Sequence, residues 1–397
     1  MQFYRIKHFQ NSDTLNKITY LDNAATTALD PTVLQAMLPY MTEVYGNPSS
    51  SYSIGRQSRT ALEGSRKKVA ELLGVKATSI YFTSGGTESN NTAIAAAMTA
   101  LHCSHIISSP VEHHAVLHTV EHYCKQTHTT CSFVKLNADA EVDLADLEAQ
   151  LAEKAELGIK CLVSLMHANN EIGTLLDIKQ TGEICQRYGA IFHSDCVQTI
   201  GHYAINLADC HLHFASASGH KFHGPKGTGI LYVKEGIKFG PLIHGGSQER
   251  KKRAGTENVH GIIGFTKALE MAMENQETDQ QKIRSLNKRM REGLLALSSA
   301  ITFNSTEQSL YTVLSVNFPA GTNTDFMLAI LDSQGICASG GSACTSAEDA
   351  GSHVISALKK DLPGATIRFS FSKKTAEADI DFALAAIAKL MEQIRRD

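Results

Sequence analysis

A chain of 397 residues is longer than one hydrophobic core ordinarily serves, so two structural units are expected. With 43% hydrophobic and 19% charged residues, 29 Gly and 8 Pro, the composition is that of a globular protein, and no low-complexity tract points to long disorder. The formal charge of −3 supplies no global basic field, which argues against a nucleic-acid or anionic-membrane partner.

The opening segment, MQFYRIKHFQNSDTLNK, lacks the continuous apolar stretch of a secretory signal. The longest apolar run, residues 93–101, is shorter than the about 20 residues that span a bilayer, so a cytoplasmic location is expected. Nine cysteines without a CxxC pair read neither as a disulfide framework nor as a zinc ribbon, and reduced thiols are expected. From residue 60 to 270, strand-like runs alternate with helical ones. SIYFTS (79–84) reads as a strand and TESNNTAIAAAMTAL as the helix after it. HIISSP (105–110), CLVSLMH (161–167), AIFHSD (190–195) and HLHFASAS (211–218) are further strands. The alternation predicts an α/β unit with a mostly parallel central sheet covered by helices, whose ligands bind at the carboxyl ends of the strands.

After Gly264 the pattern changes. Ile283, Leu286, Met290, Leu294 and Leu297 recur at three and four residues, predicting a long amphipathic helix that joins the two units. YTVLSVNF (311–318) and ATIRFSFS (365–372) then alternate as half-buried strands of a smaller α+β unit. The expected division is 31–275 for the large domain, with 1–30 and 276–397 forming the small one.

Four stretches carry chemistry. FTSGGTESN (82–90) places two glycines where a strand turns into a helix, which is either an anion cradle or a capped turn. HSDCVQT (193–199) ends a strand with Asp195, whose carboxylate suits a helix cap, a metal or a cationic ring nitrogen, and spacing alone does not choose. SASGHKFHGPKGTG (216–229) brings Lys221 to the next strand end, as a solvated charge or as an amine able to form a Schiff base. SGGSACTSAEDAGS (339–352) surrounds Cys344 with small and acidic residues, as an adventitious thiol or a travelling nucleophile. An amine for an aldehyde, a carboxylate for a pyridinium and a helix N-terminus for a phosphate together point to pyridoxal 5'-phosphate (PLP).

YLDNAATT, GNPSS, FTSGGTESNN, EHHAV, MHANNEIG, SGHKFHGPKG, HGGSQERKKRAGT, GGSACTSA and IRFS occur in this order over residues 20–371. This set resembles the NifS/IscS-type cysteine desulfurases, PLP enzymes of fold type I in the class V aminotransferase family. The resemblance implies that Lys221 forms the Schiff base, Asp195 holds the ring nitrogen protonated, and His113 stacks on the ring and moves protons. It assigns the phosphate to Gly86, Thr87, Ser218 and His220. Thr256 reaches the phosphate of a neighbouring subunit in a homodimer, while Asn170 and Gln198 contact the ring and its phenolic oxygen. Arg368, otherwise a solvated strand charge, grips the substrate carboxylate, Asn170 also binds the substrate, and Cys344 on the 338–352 loop takes the sulfur of L-cysteine as a persulfide, leaving L-alanine. The acceptor implied is a protein, an Fe–S scaffold or a tRNA-thiolating enzyme, without direct nucleic-acid contact. The alternatives are a selenocysteine lyase, a class V aminotransferase and a non-catalytic scaffold of the same fold.

Two positions depart from the family pattern. Cys196 replaces an alanine, and its sulfur is expected against the cofactor ring; Ala28 replaces a proline. After MEQIRRD the extended tail that IscS-type enzymes use with their scaffold is not matched, which leaves the acceptor open. His114, His118 and His122 share a helical face but lack an adjacent acid or thiol, so no metal is expected. The basic run ERKKR (249–253) lies in the cofactor-adjacent segment of the family rather than on a tRNA surface.

Overall fold

The computed structural model describes residues 18–341, 352–358 and 364–394. The chain starts with a short strand, β1 (Thr19–Tyr20), and then builds a seven-stranded sheet. Its members are β2 (Ile80–Thr83), β3 (His105–Ser108), β4 (Thr130–Phe133), β5 (Cys161–Ser164), β6 (Ile191–Asp195), β7 (Phe214–Ser218) and β8 (Gly229–Val233). The order across the sheet is β2-β8-β7-β6-β5-β3-β4, and every pairing is parallel except those made by β8. Because β8 is antiparallel to both neighbours, β2 and β7 point the same way, and the carboxyl ends of β2, β5, β6 and β7 open on one edge.

The central strands are buried on both faces, as a sheet covered twice requires. Ile106, Leu162, Ile191, Phe214 and Leu231 pack into one cluster with the helices Gly86–Thr99 and His114–Gln126. Their chain neighbours Ile107, Val163, Phe192, Ala215 and Ile230 pack into the other, against the helices Ser53–Leu72 and Val259–Glu274. The period-2 alternation of strands thus splits adjacent apolar residues between two layers.

A second core forms around a three-stranded antiparallel sheet of β9 (Thr302–Phe303), β10 (Val313–Ala320) and β12 (Gly364–Ser370), ordered β12-β10-β9. The remaining strand, β11 (Ile336–Cys337), pairs in parallel with β1. Ile283, Leu286, Met290 and Leu294 of the helix Gln276–Leu297 pack there with Ile367, Phe369 and Leu21. The predicted amphipathic helix is therefore present, and the handover between cores falls at Asn275, which ends the helix Val259–Glu274 and caps the next.

The sequence reading missed β4 and β8. TCSF in β4 is an edge strand with three exposed side chains and no run of apolar residues to mark it. GILYV in β8 follows the glycine-rich turn after Lys221. Among the described residues no helix is long and apolar enough to cross a membrane.

Candidate active site

At the end of β2 the chain turns through Gly85, whose φ of +152° is a conformation open to glycine. The helix Gly86–Thr99 starts immediately after it. Ser89 N–H is the first to bond back, to Gly85 O at 3.1 Å, so the amides of Gly86, Thr87 and Glu88 have no acceptor within the helix. A Cβ on Gly86 would come within 2.5 Å of a Val197 methyl, so a side chain would close the space in front of these amides. Ser218, at the end of β7, borders the same turn: its Oγ lies 3.6 Å from where a Gly85 Cβ would stand. Together these groups form a concave, positively polarised turn.

Asp195 ends β6 with 6% of its surface exposed. Its Oδ2 accepts from Asn90 Nδ2 at 2.6 Å and its Oδ1 accepts from Val197 N–H at 2.9 Å, so both oxygens are fixed in direction. Lys221, just past β7, reaches back over the sheet edge and donates from Nζ to Ala24 O at 2.6 Å and to Ala25 O at 2.9 Å. His113 caps the helix His114–Gln126, and its Nδ1 accepts from Ala115 N–H at 3.1 Å. With Nδ1 used as an acceptor, the ring proton sits on Nε2. Burial pushes His113 below the usual imidazole value, opposed by the Asp195 charge and reinforced by Lys221, so the ring is held neutral. His220 is pushed down to about 4, first by burial and then by Lys221 and Lys226.

Arg368 comes from the other core. Along β12 it alternates with Ile367 and Phe369, which face the small core, so its own side chain faces the first core. At 2% exposure it is no solvated charge. Nη1 donates to Asn170 O at 2.9 Å and Nη2 to Asp22 Oδ1 at 2.6 Å, while the buried Nε has no partner among the described residues.

These side chains surround one cavity of about 210 Å³. Gly86, Thr87, His113, Asn170, Asp195, Gln198, His220, Lys221 and Arg368 all line it, and Ser218 stands beside it. Thr256 does not line it and is exposed. Cys344 and most of the 338–352 loop lie outside the described residues.

One expectation is corrected. Cys196 does not lie against the cavity: it is fully buried in the large core, where burial pushes its thiol up to about 12, and Val197 lines the cavity instead. Asp195 Oδ1 holds the Val197 amide, which turns the chain so that residue 197 rather than 196 faces inward. The sequence reading also missed Asn90, Asp22 and Met166. Asn90 was findable, since it lies one helical turn after Thr87 in a motif already singled out.

Of the histidines on the shared helical face, the His114 ring lies 4.8 Å from His118 and 4.5 Å from His353 of another helix, both tilted, while His122 meets the Tyr123 ring edge-on. Among the described residues no three His, Cys, Asp or Glu side chains converge as a metal set. Most of the ERKKR run is engaged within the chain, Lys251 being exposed. Glu249 pairs with buried Arg66 at 2.7 Å, Arg250 lies over the Tyr81 ring and Arg253 pairs with Glu88 at 3.1 Å.

Residues 19–382 match the aminotransferase class-V family. A cysteine desulfurase IscS of Methanosarcina thermophila is 40% identical over 390 residues, covering 97% of this chain and 95% of that protein. The chain belongs to the class V aminotransferases, in their cysteine desulfurase branch. Among solved structures, a NifS-like protein superposes with a TM-score of 0.86 at 34% identity, covering 94% of this chain and 99% of its own. Another, described as SspA in complex with cysteine, superposes with a TM-score of 0.76 at 28% identity over 90% of this chain and 99% of its own.

Cysteine desulfurases of this family are PLP enzymes, and the residues of this chain fit that cofactor. The glycine turn leaves room for a phosphate, before amides that have no acceptor within their helix. A buried carboxylate with both oxygens oriented suits a protonated ring nitrogen, and a lysine amine stands at the same cavity.

Proposed function

We propose that this cysteine desulfurase moves the sulfur of L-cysteine onto Cys344. Bound PLP supplies an electron sink that lets the Cα–H and Cβ–S bonds of the substrate break. Lys221 would hold the cofactor carbonyl and, once displaced by the substrate amine, take the Cα proton at Nζ. Asp195, oriented by Asn90, would keep the ring nitrogen protonated. Gly86, Thr87, Ser218 and His220 would hold the phosphate. His113 would lie on the ring and exchange protons at Nε2, the nitrogen its capping bond leaves available.

Gln198 and Asn170 would border the ring and its oxygen. Arg368 would bind the substrate carboxylate: of its five N–H groups, the bonds to Asn170 and Asp22 occupy two. The reaction balances without an external oxidant. The Cys344 thiolate attacks the substrate sulfur and an S–S bond forms; the C–S bond breaks with its electrons left on carbon, which takes up a proton. L-Cysteine and a thiol become L-alanine and a persulfide.

The exposure of Thr256, away from its own cavity, supports its delivery to the site of a second copy in a homodimer. A sulfur-accepting protein, an Fe–S scaffold or a tRNA-thiolating enzyme, would then take the persulfide in the cytoplasm. The same reading divides the chain into a large domain, 31–275, and a small one from 1–30 and 276–397, in keeping with the packing of Leu21 beside Ile283 and Ile367.

One observation carries the proposal: a lysine, a buried carboxylate and a buried guanidinium from different elements face one cavity. The test is to incubate the PLP-loaded enzyme with L-cysteine and map protein-bound sulfur by mass spectrometry. One added sulfur on Cys344 with matching L-alanine is expected. Alanine release that survives Cys344→Ala unchanged, or reaction with selenocysteine alone, overturns it.

A further inference from the structure

Glu171 follows Asn170, which lines the cavity, and is 2% exposed, yet it forms no ion pair among the described residues. Its Oε2 accepts instead from the hydroxyl of Ser352. The backbone of Gly341 closes on the same pair: a Cβ there would stand 3.0 Å from Glu171 Oε2 and 3.0 Å from Ser352 Cβ, and its φ is +138°. A side chain at 341 would therefore separate the two. Gly341 and Ser352 are the last residues described on either side of 342–351; Ser352 bonds Glu171 Oε2, and Gly341 leaves no room for a side chain beside that oxygen.

Each end is tied further into the site. Ser339 Oγ donates to Gly341 O at 2.9 Å, and Ser339 exchanges backbone bonds with Arg368, 3.2 and 2.7 Å long. On the other side, the His353 ring bonds through Nε2 to the carbonyl of Glu112, the residue before His113, at 2.9 Å. A buried carboxyl group is costly to keep out of water, and here its partner is a hydroxyl that belongs to the segment following Cys344.

We infer that Glu171 is a positioning residue for the sulfur-transfer half of the reaction, fixing through Ser352 and Gly341 where the segment bearing Cys344 leaves and rejoins the body. The inference rests on the reading of Cys344 as the sulfur acceptor. Glu171 touches neither reacting atom; it sets the anchor points from which the thiolate approaches the substrate sulfur. A displacement of about 1 Å in such an approach costs roughly 10²-fold in rate.

The test uses full-length PLP-loaded enzyme and two readouts. Exchange of the Cα hydrogen of L-alanine for deuterium, followed by NMR, reports the cofactor site without any sulfur chemistry. The rate of sulfur addition to Cys344 from L-cysteine reports the transfer. Glu171→Ala and Ser352→Ala are each expected to slow sulfur addition roughly 10²-fold while leaving exchange within about 3-fold. The double variant is expected to fall no further than either single, since both remove one interaction.

Exchange falling in step with transfer would make Glu171 a general support of the cofactor wall and overturn the inference. Unchanged transfer, or losses that multiply in the double variant, overturn it equally. Wild-type enzyme that adds no sulfur to Cys344 refutes the proposed function instead, so the two failures are distinct.

Discussion

The seven-stranded and three-stranded sheets meet the cavity in different ways. The large sheet contributes the ends of its strands: the Gly85–Gly86 turn after β2, Asp195 at the end of β6 and Lys221 just past β7. The small sheet contributes the middle of one, Arg368, clamped between Ile367 and Phe369, both fully buried. Strand ends release backbone amides and let the chain turn, which suits a phosphate and a ring. A mid-strand position fixes a side chain's direction through the pleat, which suits recognition of a planar carboxylate. On the proposed function, cofactor chemistry and substrate recognition fall to separate cores.

The largest expected effect breaks only the first assignment. Lys221→Ala should lower desulfurase activity by at least about 10³-fold, within the range for losing an acid–base group, and abolish the visible absorption that borohydride would otherwise bleach. Residual activity above a tenth of wild type would remove Lys221 from the chemistry.

Next come the cores themselves. Phe192→Ala and Phe369→Ala each empty a fully buried aromatic site and should cost about 3–5 kcal/mol. Their consequences should differ: hydrogen exchange should rise in β10 and β12 for Phe369→Ala with PLP retained, whereas Phe192→Ala should weaken PLP retention. Equal PLP loss in both would erase the distinction between the cores.

Arg368→Lys sharpens the second assignment. Losing the bidentate fork of a charged pair should reduce kcat/KM for L-cysteine roughly 10–100-fold, mainly through KM, with the PLP spectrum unchanged.

The smallest effect is a pH slope. His193, buried in β6, bonds Ser164 Oγ at 2.9 Å, and burial pushes its ring down to about 4. Above pH 6.5 the ring is neutral folded and unfolded, and its contribution is complete. As pH falls from 6.5 to 4, the unfolded chain binds a proton that the folded chain refuses, so stability declines. His193→Gln should flatten urea-unfolding free energy against pH by about 1.4 kcal/mol per unit over that window.

Most of the large sheet was legible because its strands are short apolar runs ending in small or polar residues: the expected 190–195 is observed as Ile191–Asp195. The exceptions are positional. β4 is polar because edge strands need only one buried side, and β8 reverses direction, which no composition encodes. In the site, residues inside local motifs were found. Asp22 was not identified as the partner of Arg368, since the two are 346 residues apart and only folding joins them. The inward residue after Asp195 was misjudged by one position, because a turn set by the Asp195–Val197 bond decides which side chain faces the cavity.

The contacts of Arg368 also impose an order of events during synthesis. Its guanidinium joins Asp22, made early, to Asn170, made midway, while the arginine itself leaves the ribosome 93 residues after position 275. At typical translation speeds that interval is roughly 5–19 s. For those seconds a nascent chain already contains Lys221, Asp195 and the Gly85–Gly86 turn but not Arg368. The cavity is thus the last thing the chain can complete, because the side chain that closes it from the small sheet is made after every other residue that lines it.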